Sequence, residues 1–111
     1  MFKKVCRLFV AAALATTASF AAAAPWPDGP VRMIVPYPPG GATDFSARVY
    51  AEHLGKILGK PIVVENKAGA AGEIGSQFVA AAPADGYTLL LGALGSMAIN
   101  SLLPSKKQPY K

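Results

Sequence analysis

The chain has one cysteine, one histidine and charged side chains at only 15% of its 111 positions. Each scarcity excludes a class of chemistry. Cys6 lies among the first basic residues, so the chain from residue 24 onwards has no thiol, and with it no disulfide, thiolate nucleophile or cysteine metal ligand. It also precedes the first apolar run, where a lipid-modified cysteine would follow it. His53 stands beside Arg48, Glu52 and Lys56, the setting of a solvated side chain rather than of a ligand or base. No G-x-S-x-G elbow surrounds a serine, and no carboxylate has an obvious proton-transfer partner. Gly69, Gly72 and Gly75 are spaced G-x-x-G-x-x-G, which is neither a dinucleotide fingerprint nor a Walker loop. Nothing calls for a cofactor or a metal. Basic residues are not interleaved with aromatics, so no nucleic acid partner is indicated, and Lys106 and Lys107 read as a solvated tail.

What is present begins with a secretory layout. Lys3, Lys4 and Arg7 precede an uncharged run over 8–20, which small residues over 21–24 follow. That run is shorter than the roughly 20 residues a membrane-spanning helix needs, and Pro25, Pro27 and Asp28 close it. The expectation is a signal peptide over 1–23, cleaved before Ala24, and export to the periplasm. Three of eleven basic residues leave with it, so residues 24–111 carry eight against six acids, a net charge of +2. A chain of that length folds as one small domain that buries a modest share of its surface.

Val31 to Val35, 61–64 and 87–91 are short runs rich in Val, Ile and Leu, and read as buried strands. Between the first two, Ala47, Ala51, Leu54 and Leu58 recur at helical spacing over Ala42 to Leu58, with Arg48, Glu52 and Lys56 as a charged row. Thr43 or Asp44 is placed to cap this helix, and Gly59 to end it. Ile74, Phe78 and Ala82 line a shorter helix that Pro83 stops, and a further helix is expected over 96–103. Strands that alternate with helices and are apolar on both faces predict an α/β fold with a parallel sheet and right-handed crossovers.

In such a sheet the loops after the strands, 36–43, 66–72 and 92–96, emerge at one edge. All three are glycine-rich and lead into helices whose first N–H groups lack partners, a setting that favours anions. Simple turn formation is the competing role for any one of them. Asp44 is the one acid at this edge, with helix capping as the alternative to ligand contact.

The stretch from Val31 through Pro36-Tyr37-Pro38-Pro39-Gly40-Gly41-Ala42-Thr43-Asp44, with Pro61 through Asn66-Lys67-Ala68-Gly69-Ala70-Ala71-Gly72, resembles the Bug family of extracytoplasmic receptors. Pro83-Ala84-Asp85-Gly86-Tyr87-Thr88 through Gly92, and Ala98-Ile99-Asn100, continue the match. The resemblance implies a non-catalytic, two-lobed solute-binding protein with the type II periplasmic-binding-protein fold. Such a receptor closes on a small di- or tricarboxylate-like ligand and hands it to the membrane permease of a tripartite tricarboxylate transporter. It implies ligand contacts from Tyr37, Gly40, Gly41, Ala42, Thr43 and Asp44, from Ala68, Gly69 and Gly72, and from Gly95 and Ser96. Tyr37 is placed either to cover the ligand or to pack.

Residues 24–111 then correspond to the N-terminal part of lobe one, a partial lobe of parallel strands and flanking helices. A truncated receptor product with no activity of its own is the alternative, and a small secreted enzyme built on Asp44 is a third reading.

Overall fold

A computed structural model describes residues 23–99 and Leu102. Apart from Ala23, the signal peptide expected over 1–23 lies outside the described residues. So does most of the helix expected beyond Ile99.

β1 (Val31–Val35) is the middle strand of a three-stranded sheet, between β2 (Ile62–Asn66) and β3 (Thr88–Leu90), and both pairings are parallel. Met33 sits opposite Val64 on one side and Leu89 on the other. Val31, Ile34 and Val35 are wholly buried, and each contributes roughly 1.5–3 kcal/mol by leaving water. A strand buried on both faces has to be apolar at successive positions, which is why β1 reads as a run rather than an alternation. The ladder extends past the strand ends, with Lys67 N–H donating to Val35 O at 2.8 Å and Leu91 N–H to Ile34 O at 2.9 Å. β2 starts one residue later than the apolar run suggests and ends two later. Glu65 belongs to it because its carboxylate meets the Arg32 guanidinium on the neighbouring strand, at 2.7 and 2.8 Å.

Successive side chains of β1 serve opposite faces. Met33 and Val35 pack with Ala47, Ile62, Val64 and Leu91 under the first helix, α1 (Ala42–Leu58). Arg32 instead lies over the ring of Phe78 on the second helix, α2 (Glu73–Ala80). The two helices therefore cover the two faces of the sheet.

α1 has the expected bounds and ends at Gly59 in the left-handed conformation, φ 67°. Its N-cap is Gly41, with no side-chain cap, so neither Thr43 nor Asp44 fills that role. Asp44 is turned inward and bonded elsewhere. The buried stripe is Asp44, Ala47 and Ala51; Leu54, expected to face the sheet, is 36% exposed. Small residues bring the helix close to the strands and rotate its larger side chains outward. Of the charged row, Lys56 meets Glu52 at 2.7 Å, while Arg48 turns back to Asp44 at 3.1 Å.

On α2 the face expected from Ile74 and Phe78 is likewise displaced, because Ile74 is exposed and Gly75 and Ser76 are buried. A Cβ on Gly75 would stand 2.7 Å from Pro36 Cβ and 2.9 Å from Lys67 O. Only glycine permits that approach of helix to strand ends. Past β3 the chain forms a π-helical turn, Gly95–Ile99, in place of the start of a regular helix. Among the described residues no helix is long and apolar enough to cross a membrane.

Candidate ligand-binding site

The chain leaves β1 towards one face of the sheet and β2 towards the other. A crevice at the carboxyl ends of the strands follows from that divergence. A groove of about 350 Å³ lies there, lined by Ala42, Thr43, Ser46, Tyr50, Leu91, Gly92 and Ala93. A larger groove, about 630 Å³, runs along α1 and the β2 edge past Ala51, Gly55, Lys60 and Val64. No residue of the three loops lines that one, although Arg48 stands on its wall. The smaller groove is lined from the start of α1 and from the third loop, and no residue over 66–72 lines it.

The first loop is held by a carboxylate. Asp44 is 4% exposed, and its Oδ2 accepts from Gly40 N–H at 3.0 Å and Arg48 Nε at 3.1 Å. Its Oδ1 accepts from Asn66 Nδ2 at 2.9 Å. Arg48 first, then the Gly40 amide and Asn66, hold the Asp44 carboxyl at about 2, well below the usual carboxylate range. It is ionised and fully engaged at neutral pH. The first intrahelical bond of α1 is Phe45 N–H to Gly41 O, so the amides of Ala42, Thr43 and Asp44 precede the ladder. Gly41 and Ala42 are exposed there and Thr43 is half-buried.

The second loop runs through left-handed backbone at Gly69 (φ 135°), Ala70 (φ 47°), Ala71 (φ 55°) and Gly72 (φ 92°), ending in a 3-10 turn, Ala70–Gly72. For the two alanines this conformation costs roughly 1–2 kcal/mol each. Such outliers persist where the surroundings impose them, and they gather at ligand sites.

The loops meet around Tyr37. A side chain on Gly72 would stand 3.0 Å from Ser96 Cβ and 3.2 Å from Tyr37 Oη, and one on Gly95 would stand 3.9 Å from that same hydroxyl. Tyr37, Gly72, Gly95 and Ser96 are thus brought together. Ser96 is buried, with its Oγ donating to Ala93 O at 3.1 Å. Ala42 and Thr43 line the groove, and Gly40 is tied to Asp44. Ala68 is exposed, and Gly69 lies against Ile74 rather than in the groove. Sequence reasoning left out Asn66, Arg48, Ser46 and Tyr50. For Asn66 the one available signal was an amide side chain at the end of a strand. His53 is exposed, with Nδ1 2.8 Å from Val49 O, the solvated placement expected of it. Among the described residues no cluster of His, Cys, Asp and Glu could hold a metal.

Comparison with known proteins decides what this arrangement belongs to. Residues 46–111 match the tripartite tricarboxylate transporter family receptor.

The chain belongs to that receptor family.

Protein BugT of Bordetella pertussis is 52% identical over 88 residues, covering 78% of this chain and 26% of BugT. A solved periplasmic transporter superposes with a TM-score of 0.74 at 44% identity, over 78% of this chain and 29% of that one. A Rhodopseudomonas palustris protein solved with adipate gives a TM-score of 0.72 at 37% identity, over 78% of this chain and 29% of that one. The chain spans about a quarter of the length of the curated relatives it matches. The family is one of transport receptors and not of enzymes, which sets aside a secreted enzyme built on Asp44. Its members include periplasmic proteins. The α/β piece with three parallel strands is the part of their fold that this chain shares.

Proposed function

We propose that this receptor-family chain supplies one wall of a cleft for a small dicarboxylate, exported through a leader cleaved before Ala24, and delivers its ligand to the membrane permease of a tripartite transporter. The observation that carries the reading is the meeting of three loops around Tyr37, beside the leading amides of α1. A helix start presents roughly half a positive charge together with unpaired N–H groups, which suits a carboxylate better than its ester or amide. Gly41 keeps a side chain out of the approach to the backbone, and Gly72 lets the second loop close on Tyr37 and Ser96. With Asp44 ionised and fully bonded, and the Ser96 hydroxyl buried on Ala93 O, the anion contacts fall to the amides of Gly41, Ala42 and Thr43, to the 68–72 loop and to the backbone at Gly95. The adipate complex of the Rhodopseudomonas palustris relative supports a dicarboxylate as the ligand class.

The test is an amide-resonance titration of the isotope-labelled chain with adipate and with its diethyl ester. Adipate is expected to shift Gly41 to Thr43 and Gly69 to Gly72, and the ester is expected to shift neither. Equal responses to both compounds, or shifts confined to the groove by Lys60, would overturn the assignment. Mass spectrometry of a periplasmic extract checks the export step, with an N-terminus at Ala24 as the expected result.

A further inference from the structure

The amide of Asn66 is used at every position. Its Nδ2 donates to Tyr37 O at 3.1 Å and to Asp44 Oδ1 at 2.9 Å, and its Oδ1 faces Arg48 Nη2 at 3.5 Å. Asp44 in turn accepts from Gly40 N–H. The first loop is therefore clasped at both ends, at the Tyr37 carbonyl directly and at the Gly40 amide through Asp44. Asn66 is also the last residue of β2, paired with Val35 in register, and the second loop starts at the next residue. The Tyr37 hydroxyl is what meets Gly72 and Gly95. Tyr37 is therefore shared by all three loops, its carbonyl held by Asn66 and its hydroxyl beside Gly72 and Gly95.

We propose that Asn66 is a positioning residue of the ligand site: its carboxamide clasps the first loop at Tyr37 and, through Asp44, at Gly40, and so sets the spacing of the first and second loops without touching the ligand. The clasp rests on the geometry alone, and its effect on affinity rests on the carboxylate reading above. The chemistry is particular to asparagine. Aspartate has no donor for Asp44, leucine has none at all, and glutamine reaches a methylene too far. The charges facing this point are Asp44 and Arg48 from α1. Lys67 of the second loop lies over the Phe78 ring at 4.3 Å, and Glu65 is tied to Arg32.

Asn66→Asp and Asn66→Leu separate a clasp from mere filling of space. Asn66→Asp puts a second carboxylate where an amide now stands 2.9 Å from Asp44. Two carboxylates so close cannot both stay ionised as the pH falls, and the pair takes up one proton, which bridges them. The clasp then re-forms with an O–H donor in place of N–H. Asn66→Leu cannot recover at any pH.

The experiment is an adipate titration of the labelled 111-residue chain, with each variant compared to the parent at about pH 7.5 and about pH 4.5. The Tyr37 and Gly40 amide resonances are followed in the absence of adipate as well. At the higher pH both variants are expected to bind about tenfold more weakly than the parent, with displaced Tyr37 and Gly40 resonances. At the lower pH Asn66→Asp is expected to return to within about threefold of the parent, with its resonances restored. Asn66→Leu should not. Parent-like resonances in Asn66→Asp at the higher pH, or equal losses in both variants at both pH values, would overturn the proposal. Should Asn66→Leu fail to fold, the pH course of Asn66→Asp against the parent decides alone. Should the parent itself not respond to adipate, the carboxylate reading fails while the ligand-free resonances still decide the clasp.

Discussion

The two faces of the sheet are covered by helices that hold on by different means. α2 is fixed by shape: Gly75 lets it rest on Pro36 and the Lys67 carbonyl, and Phe78 is overlaid by Arg32 and Lys67. α1 is fixed by small residues and a polar network, with Ala47 and Ala51 against the strands and Asp44 bonded inward, while Phe45 and Ile57 stay 71% and 77% exposed. The contrast shows that a helix need not bury its largest apolar side chains to be anchored. What decides is which side chains allow close approach, and which leave no polar group unpaired.

The contrast breaks most sharply at glycine. Gly75→Val has no room, since the atoms it meets belong to a proline ring and a backbone carbonyl, and the expected loss is about 3 kcal/mol. Gly55→Ala on α1 meets Lys60 O at 3.3 Å and otherwise ordinary contacts. There the gain in helix propensity, up to about 1 kcal/mol, offsets the crowding. Urea unfolding of the two variants checks both signs. Equal destabilisation would mean that α2 is not the helix held by shape.

Much of this arrangement was legible before any coordinates. β1 announces itself because a strand buried on both faces must be apolar throughout, and α1 because its spacing runs unbroken from Ala42 to Gly59. That the three loops share an edge followed from the alternation of strands and helices alone. The parts that were not legible depend on partners far apart in sequence. Glu65 and Asn66 look like loop residues until Arg32 and Asp44 are placed opposite them. Leu54 fits the spacing of a core residue, yet the alanine stripe turns it outward. Asp44 looks like a helix cap, and only the register that sets Asn66 beside Val35 shows where its carboxylate goes.

On the α1 side, the loop amides give the next largest effect. A Cβ on Gly41 would meet nothing closer than Pro38 O at 3.8 Å, and its φ of −82° suits any residue. Gly41→Val is therefore expected to fold normally and weaken adipate binding about tenfold or more by covering the amides. Lys67→Ala, which removes a cation lying over Phe78, should change binding by less than about twofold. Gly69→Val is a poorer probe, because φ 135° and the Ile74 side chain lying against its Cβ would distort the loop itself. Calorimetry that ranked Lys67→Ala above Gly41→Val would turn the backbone site into a side-chain charge site.

The same network makes a pH prediction. Asp44 is held at about 2 in the folded chain against 3.8 for a free carboxyl. Its contribution is therefore complete above about pH 4 and is lost as the pH falls towards 2. Thermal melts between about pH 6 and pH 2 should show stability falling across that window, and Asp44→Asn should flatten the part of the fall that Asp44 causes. An identical slope in the variant would mean that the carboxylate is not bonded as described.

The smallest effect on stability is expected on the bare side of α1, where Phe45 and Ile57 make little contact with the sheet. Replacing both with lysine should leave the urea midpoint nearly unchanged, within about 0.5 kcal/mol, because neither side chain is buried or caps the helix, and exposed positions of that kind rarely matter more. Solution behaviour should change far more than stability. Phe45, Tyr50 and Ile57 are large apolar or aromatic side chains left exposed on α1, and exposed apolar surface drives association. Sedimentation of the parent at two concentrations is expected to show mass rising with concentration, and the double variant is expected to remain monomeric at both. If instead the double variant lost stability as Gly75→Val does, α1 would be anchored by its large residues after all, and the difference between the two faces of the sheet would vanish.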